Sequence, residues 1–473
     1  MTTNTKRNLT IALSSAVVLG GLVAAPTIMQ QSQQADQPAM AKTKPSGTKP
    51  SGKPSGTSAP GQTSSSSAKL SGTTTVSGTK QLSNQTIQST TANKSAVYVK
   101  KGGNLTLTGS KVTKQGNTTS TDNSNFFGQN AGILVTKGGK ATISKLTETT
   151  KSIGSNAIFA TGSQANVTVK NATINTTKSS SRGLDATYKG KITATNTNIT
   201  TKGSHSAALA TDRGGGTVSL NKGTLKTAGD GSPVLYSTGK ITATNVTGTA
   251  TGAEAADIEG SNSITVKNSK LTGKKNNGVM LYQSMSGDAE VGTSVFSMTN
   301  GSLTSTVKNG SKGTSTHTGA LFYVTNTTAK INLTNVKLSN ASNVLIRLAG
   351  DRWGTSGSNG GKLTFTAKNQ TLKGNVEVAK GSTLKLALTS GSKLTGAINH
   401  AATAGKTTLT LKGNNTWSVT KDSHITALVS TKSALKHIHS NGHNVYYDKS
   451  NSANKWLNGK TYTLTGGGKL IAE

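Results

Sequence analysis

Short aliphatic segments recur along most of the chain, each flanked by Thr, Asn, Lys, Gly or Ser. Within a segment the aliphatic residues alternate with polar ones, as in residues 166–169 (Asn-Val-Thr-Val), which is the period of a β-strand with one buried face. The equivalent aliphatic positions Val167, Ile192, Val218, Ile241 and Ile264 lie 23–26 residues apart. Such a period indicates a solenoid, because one unit cannot bury its aliphatic face until the next unit stacks on it.

A second aliphatic segment lies between these positions, at Leu184, Leu209 and Leu235. Each unit of about 23–26 residues therefore carries at least two strands. That length exceeds a hexapeptide coil and falls short of a propeller blade of about 40–50 residues. The pattern predicts an all-β fold, a right-handed parallel β-helix over residues 70–430.

Asparagine recurs after the second strand of the unit. The positions are Asn171, Asn196, Asn245, Asn268 and Asn335. Since they share one register, we expect their amides to stack as a ladder along the axis of the solenoid.

The ends of the chain differ in composition from the repeats. A basic pair, Lys6 and Arg7, precedes an apolar stretch, so residues 1–41 are predicted to be a signal peptide, with a retained membrane anchor as the alternative. Tandem Lys-Pro-Ser-Gly copies predict a disordered linker over residues 42–69. The repeat fades after residue 430, and residues 431–473 are expected to form a C-terminal cap.

Composition supports a thin aliphatic core. Hydrophobic residues make up 31% of the chain and aromatic residues 4%, which is too little for a large globular core of ordinary shape. Disorder is the alternative, but regular aliphatic alternation opposes it. Cysteine is absent, which excludes disulfides, thiolate nucleophiles and Cys-ligated zinc.

The chain is strongly basic. It has 52 Lys and Arg against 16 Asp and Glu, a formal charge of +36, and only five of the basic residues are Arg. Lysine suits diffuse contact with polyanions better than bidentate reading of bases, and no aromatic-rich nucleic-acid motif accompanies it. We therefore expect anionic cell-wall polymers or host glycans as partners, and no nucleic acid. Alternatively, the lysines only keep a large β-surface soluble.

Candidate chemistry is sparse. Asp257 and Glu259 lie two residues apart on a predicted strand, so they share a face at roughly 7 Å and form the best candidate catalytic pair. A structural salt bridge or a bound calcium ion is the alternative for these acids, and no other metal site is predicted. Tyr282, Arg352 and Trp353 are candidate ligand-binding residues because aromatic faces suit sugar rings, although each could simply pack over its coil.

Residues 212–218 (Asp-Arg-Gly-Gly-Gly-Thr-Val), 231–239 and 258–263 resemble the coils of a known group. The group is that of secreted, adhesin-like β-helix proteins of Gram-positive bacteria, which are similar to the pectin-lyase-like superfamily and to autotransporter passengers. The resemblance implies the parallel β-helix fold and leaves the function open. Because candidate chemistry is sparse and no segment after the predicted signal peptide approaches transmembrane length, we expect a secreted, surface- or wall-associated, adhesin-like protein without catalytic activity and without a transmembrane segment in the mature chain. Because the superfamily also contains polysaccharide lyases and hydrolases, an enzyme acting on an acidic polysaccharide through Asp257 and Glu259 is the alternative.

Overall fold

The structure, a computed structural model, describes residues 68–309, 317–403 and 405–473. The predicted signal peptide and nearly all of the predicted linker lie outside the described residues. The described residues all belong to the second of two units into which the chain divides, Pro38–Glu473.

The first half of the solenoid comprises β1 (Gly72–Val76), β2 (Thr79–Ser83), β3 (Thr86–Ser89), β4 (Ser95–Val99), β5 (Asn104–Thr108), β6 (Lys111–Lys114), α1 (Thr121–Phe127), β7 (Ile133–Val135), β8 (Lys140–Ser144), β9 (Thr147–Thr150), β10 (Ile158–Thr161), β11 (Asn166–Thr176), β12 (Leu184–Thr187), β13 (Lys191–Thr201), β14 (Leu209–Thr211), β15 (Thr217–Thr227), β16 (Leu235–Ser237), β17 (Lys240–Ala250), β18 (Ala256–Glu259) and β19 (Ser263–Gly273).

The second half comprises β20 (Val279–Tyr282), β21 (Thr293–Ser305), β22 (Ala320–Thr325), β23 (Thr328–Thr334), β24 (Lys337–Asn340), β25 (Val344–Leu348), β26 (Lys362–Lys368), β27 (Thr371–Lys373), β28 (Asn375–Val378), β29 (Thr383–Thr389), β30 (Lys393–Thr395), β31 (Lys406–Leu411), β32 (Thr416–Ser418), β33 (Ser423–Ile425), β34 (Ala427–Val429), a 3₁₀ helix (Lys432–His437), β35 (Ile438–His439), β36 (Val445–Tyr447), a second 3₁₀ helix (Ser452–Leu457), β37 (Tyr462–Thr463) and β38 (Lys469–Ala472).

Parallel pairing between successive coils confirms the predicted β-helix solenoid. Twelve strands form one sheet, sheet A, in the order β1-β4-β7-β10-β12-β14-β16-β18-β20-β22-β25-β28. A second set, sheet B, contains β2, β3, β5, β6, β8, β9, β11, β13, β15, β17, β19, β21, β23, β24, β26, β29, β31 and β34. The predicted equivalences are realised residue by residue, since Val167 pairs with Ile192 and Ile192 with Val218.

The core is one continuous cluster of inward-facing aliphatic side chains. In sheet A, Ile158 pairs with Leu184, and Leu184 with Leu209, so each coil covers the aliphatic row of its neighbour. At about 25 cal/mol for each Å² of apolar surface removed from water, this stacking is the main stabilising contribution.

The long sheet B strands bend at residues in the left-handed conformation. Asn171 has a φ of 56° and Asn196 a φ of 50°, which asparagine tolerates better than most residues. The side-chain Nδ2 of Asn196 donates to Asn171 Oδ1 at 2.7 Å, and the side-chain Nδ2 of Asn335 donates to Asn300 Oδ1 at 3.0 Å. The predicted asparagine ladder is therefore present.

Parallel stacking continues beyond residue 430, where the sequence repeat fades. β35 pairs with β32, and β36 lies between β33 and β38. After β37 the chain reverses direction, and β38 pairs antiparallel with β37. The region expected to be a cap therefore ends in an antiparallel hairpin, unlike the parallel coils before it.

Candidate functional site

The outward face of sheet A is covered, unlike that of sheet B. β10, β12 and β18 are buried at every position, whereas β13 alternates between buried and exposed residues. A sheet with both faces buried has something packed on each side. Here two excursions from the coils, α1 with its flanking residues and the segment 283–292, supply the outer layer.

The first excursion is capped and anchored locally. Ser120 accepts a hydrogen bond from the Asn123 amide at the start of α1, and Gly128 ends the helix with a φ of 73°. The backbone carbonyl of Phe126 accepts from Thr187 Oγ1 on β12 at 2.8 Å, and the Phe127 ring stacks on Tyr188 at 5.6 Å between centroids. These contacts hold α1 over the outward face of sheet A.

The second excursion meets the first at Arg213. The Arg213 guanidinium lies 3.8 Å from the ring centroid of Phe126 and binds Asp288 Oδ1 through Nε at 3.0 Å and NH2 at 2.6 Å. Asn326 also donates to the Gln283 carbonyl at 2.7 Å. One arginine thus joins the two covering segments by stacking on Phe126 and by an ion pair in which two of its nitrogens donate to the same carboxylate oxygen.

Five carboxyl groups are buried beneath or within this cover, and we call them the sheet A acid cluster. They are Asp185, Asp212, Asp257, Glu259 and Asp288.

Arginines neutralise only part of that cluster. Arg182 lies 2.9 Å from Asp212 and 3.7 Å from Asp185, while Arg213 binds Asp288. Burial raises the pKa of Asp185 to about 8 and that of Asp212 to about 6, with Arg182 opposing the rise in both cases. A buried excess of carboxyl groups over guanidinium groups favours protonated acids.

Glu259, one member of the predicted catalytic pair, is well satisfied. Its Oε2 accepts from the Tyr236 hydroxyl at 3.2 Å, and its Oε1 accepts from the Ser284 amide at 3.3 Å, the Ser286 hydroxyl at 3.4 Å and the Ser284 hydroxyl. Burial raises its pKa, although the Ser284 hydrogen bond opposes the rise. Glu259 therefore connects sheet A to the segment 283–292.

Asp257, the other member, lies on the same outward face, as the spacing predicted. It pairs in register with Tyr236 and Met280, and its Oδ1 has no hydrogen-bond partner. Burial and then the neighbouring Glu254 raise the pKa of Asp257 well above its ordinary range. The two predicted acids thus share a face but differ in environment, since Glu259 accepts several hydrogen bonds whereas Asp257 Oδ1 accepts none.

The three predicted ligand-binding residues come together as a stack. Tyr282 and Trp353 lie 4.8 Å apart between ring centroids, and the Arg352 guanidinium lies 4.3 Å from the Trp353 centroid. Tyr282 is only 9% exposed. Both contacts use the ring face of the indole, so this arrangement favours the packing alternative over an open platform for a sugar.

Burial separates the two signs of charge. Seven carboxyl groups are buried among the described residues: Glu148, Asp185, Asp212, Glu254, Asp257, Glu259 and Asp288. Of the lysines in the same part of the chain, only Lys114 is buried. The accessible surface is consequently more basic than the composition alone implies.

Exposed lysines also fall into register along sheet B. Lys140 and Lys191 both pair with Asn166, and Lys191 and Lys240 both pair with Thr217, so a lysine occupies every second coil of one column. All three are exposed, and none forms an ion pair within the described residues. With strands about 4.8 Å apart, the column repeats a positive charge roughly every 9.5 Å.

Several members of the site were missed by sequence reasoning. Asp288 lies 75 residues from Arg213 in the sequence and contacts it because the segment 283–292 folds back over sheet A. No local sequence pattern predicts that contact. Asp212 could have been identified from the repeat, because Ala210 pairs with Asp185 and Asp212, the residue directly after β14, lies two positions further along.

No protein-family model matches the chain, and neither a curated protein nor a solved structure matches it. In the part of the chain that the structure describes, no helix is long and apolar enough to cross a membrane. Nor do residues 68–309, 317–403 and 405–473 bring three or more His, Asp or Glu side chains together in a group that could hold a metal ion.

Proposed function

We propose that this protein is an exported, non-catalytic β-helix protein of the pectin-lyase-like, adhesin-like kind, associated with the bacterial surface or wall. It binds anionic polymers or glycans through its exposed lysines. The observation that supports this most strongly is the separation of charge among the described residues, with seven carboxyl groups buried and every lysine except Lys114 at least partly exposed. A surface that carries one sign of charge attracts a polymer of the opposite charge along the whole length of the contact.

The lysine column Lys140–Lys191–Lys240 offers the sharpest test. Replacing all three by glutamine should weaken binding to wall teichoic acid or a sulfated glycan at low salt by about three- to tenfold, since each exposed contact is worth about 0.2–0.5 kcal/mol and a tenfold change is about 1.4 kcal/mol. Affinity is measured by biolayer interferometry on immobilised polymer.

The matched control replaces the same three lysines by arginine, which keeps every charge in place. That variant should bind like the wild type. If the glutamine variant binds as tightly as the arginine variant, this column does not contribute to the contact. If the wild type itself binds no anionic polymer at low salt, the proposed function is wrong.

A second candidate function rests on the sheet A acid cluster. Asp257, whose pKa is raised by burial, lies on the same strand face as Glu259, and a general acid with a raised pKa beside a second carboxyl group is what polysaccharide hydrolysis requires. Glu259 is 2% exposed beneath the segment 283–292, so this function would need that segment to move. Release of reducing ends or unsaturated products from acidic polysaccharides, lost in Asp257→Asn and Glu259→Gln, would favour the enzyme.

A further inference from the structure

Three polar side chains are buried on neighbouring coils near the point where the chain leaves β6 for the α1 excursion. Lys114 ends β6, Asn130 precedes β7, and Glu148 lies on β9, and each is 0% exposed. They belong neither to the lysine surface nor to the sheet A acid cluster. Buried polar groups of these types are unusual in an aliphatic solenoid, and those without hydrogen-bond partners often have a chemical role.

Lys114 occupies a position that threonine fills in later coils. It pairs with Thr150, and Thr150 pairs with Thr176. The Thr176 hydroxyl closes its own corner by donating to the Ser181 carbonyl at 2.6 Å. The longer lysine reaches further, donating to the carbonyls of Thr91 at 3.1 Å, Gly116 at 2.9 Å and Gln115.

Asn130 is adjacent to the lysine amine. Its Nδ2 donates to the Gly116 carbonyl at 2.9 Å, which is the same oxygen that Lys114 Nζ binds, and to Ser155 Oγ at 3.0 Å. The two nitrogens therefore lie within two hydrogen-bond lengths of each other. Asn130 Oδ1 has no hydrogen-bond partner.

Glu148 places an acid on the neighbouring coil, two residues before Thr150, which pairs with Lys114. It sits in an aliphatic column, paired with Val112 on one side and Ile174 on the other, and neither of its oxygens has a hydrogen-bond partner. A Cβ placed on Gly132, two residues after Asn130, would overlap Glu148 Oε1. The glycine therefore leaves room for the carboxyl group two residues along the chain from the asparagine.

We propose that Lys114 and Asn130 become joined by an amide bond between Nζ and Cγ, formed within the folded protein with Glu148 carrying the proton. The lysine nitrogen adds to Cγ, the Cγ–Nδ2 bond breaks, and Nδ2 leaves as ammonia. The carboxyl group of Glu148 gives a proton to the departing nitrogen and recovers the proton that Nζ loses. No oxidant, reductant or further reactant is needed.

The electrostatic environment supports this chemistry. Burial lowers the pKa of Lys114 to about 8, so a larger fraction of the amine is neutral and nucleophilic. Burial also raises the pKa of Glu148 to about 8, so this group holds a proton at neutral pH. The bond would close the loop of residues 114–130 and tie both ends of the α1 excursion to one corner of the solenoid.

A tryptic digest of the full-length protein tests the bond directly. A linked Lys114 resists trypsin, so we expect residues 112–137 as one peptide, lighter than its sequence by one ammonia. Collision fragmentation should yield no backbone fragments from cleavage between 114 and 130, because that stretch is a ring. Cleavage after Lys114, with Asn130 unmodified, would overturn the proposal.

Two variants refine the test. Glu148→Gln keeps the size of the side chain but removes the acid, so trypsin should now cleave after Lys114. Lys111→Arg changes an exposed residue of the same strand and should retain the link. Far-UV circular dichroism checks that both variants fold. If the link survives in Glu148→Gln, Glu148 does not carry the proton.

Discussion

At the scale of single residues, the face of the strand on which a carboxyl group lies determines what surrounds it. Glu148 points inward among aliphatic residues, and Asp185 points outward but lies beneath the covering excursions. Both are fully buried, and burial raises the pKa of each to about 8. Such groups favour the folded state only while they hold a proton.

This predicts a pH dependence that Asp185→Asn should reduce. The pKa of Asp185 is higher in the folded than in the unfolded chain, so the folded state binds more protons between pH 4 and 8. The free energy of unfolding therefore falls as pH rises through that window. In urea titrations at pH 5 and pH 8, the variant should lose less stability than the wild type.

Glu290→Gln, at an exposed carboxyl group, provides the control and should behave like the wild type. An equal loss of stability between the two pH values in Asp185→Asn and the wild type would contradict the account of the buried acid.

At the scale of elements, the corner between the two halves of each long strand depends on asparagine. Asn196 combines a positive φ with an amide that donates to Asn171 on the preceding coil. Periodicity made this ladder predictable, because the asparagines recur in phase with the strands. A second ladder, in which the Ser181 amide donates to Ser206 Oγ and the Ser206 amide to Ser232 Oγ, was not predictable because serine is common throughout the chain.

Substitutions at Asn196 separate the two contributions of this residue. Alanine loses the amide contact and must adopt a left-handed conformation, so Asn196→Ala should lower the free energy of unfolding by about 1–2 kcal/mol. Asn196→Gly loses the contact but adopts the conformation freely, so its loss should be smaller. Urea midpoints measure both variants, and a glycine variant less stable than the alanine variant would contradict this interpretation.

The same contrast explains which parts of the candidate site could be predicted. Asp257 and Glu259 lie two residues apart, so strand geometry alone placed them on one face. Arg213 and Asp288 come together only because the segment 283–292 folds back over sheet A. Local periodicity determines the conformation of the coils, whereas long-range packing determines which residues the excursions between coils contact.

At the scale of the whole molecule, stacking and charge act together. The coils and their excursions take carboxyl groups out of solvent on the outward face of sheet A and, at Glu148, in the interior, while sheet B presents lysines in register. Composition predicted a basic protein, but it could not show that the acids withdraw from the surface. That separation connects the fold to the proposed partners, because attraction between exposed charges depends on what solvent can reach.

The most direct measurement is the salt dependence of wild-type binding to an anionic wall polymer. Screening shortens from about 10 Å at 0.1 M salt to about 3 Å at 1 M, so contact through exposed lysines should weaken steeply and continuously over that range. We expect a linear fall of log affinity with log salt, and release of the protein from cells washed at 1 M. Affinity that does not change with salt would contradict it.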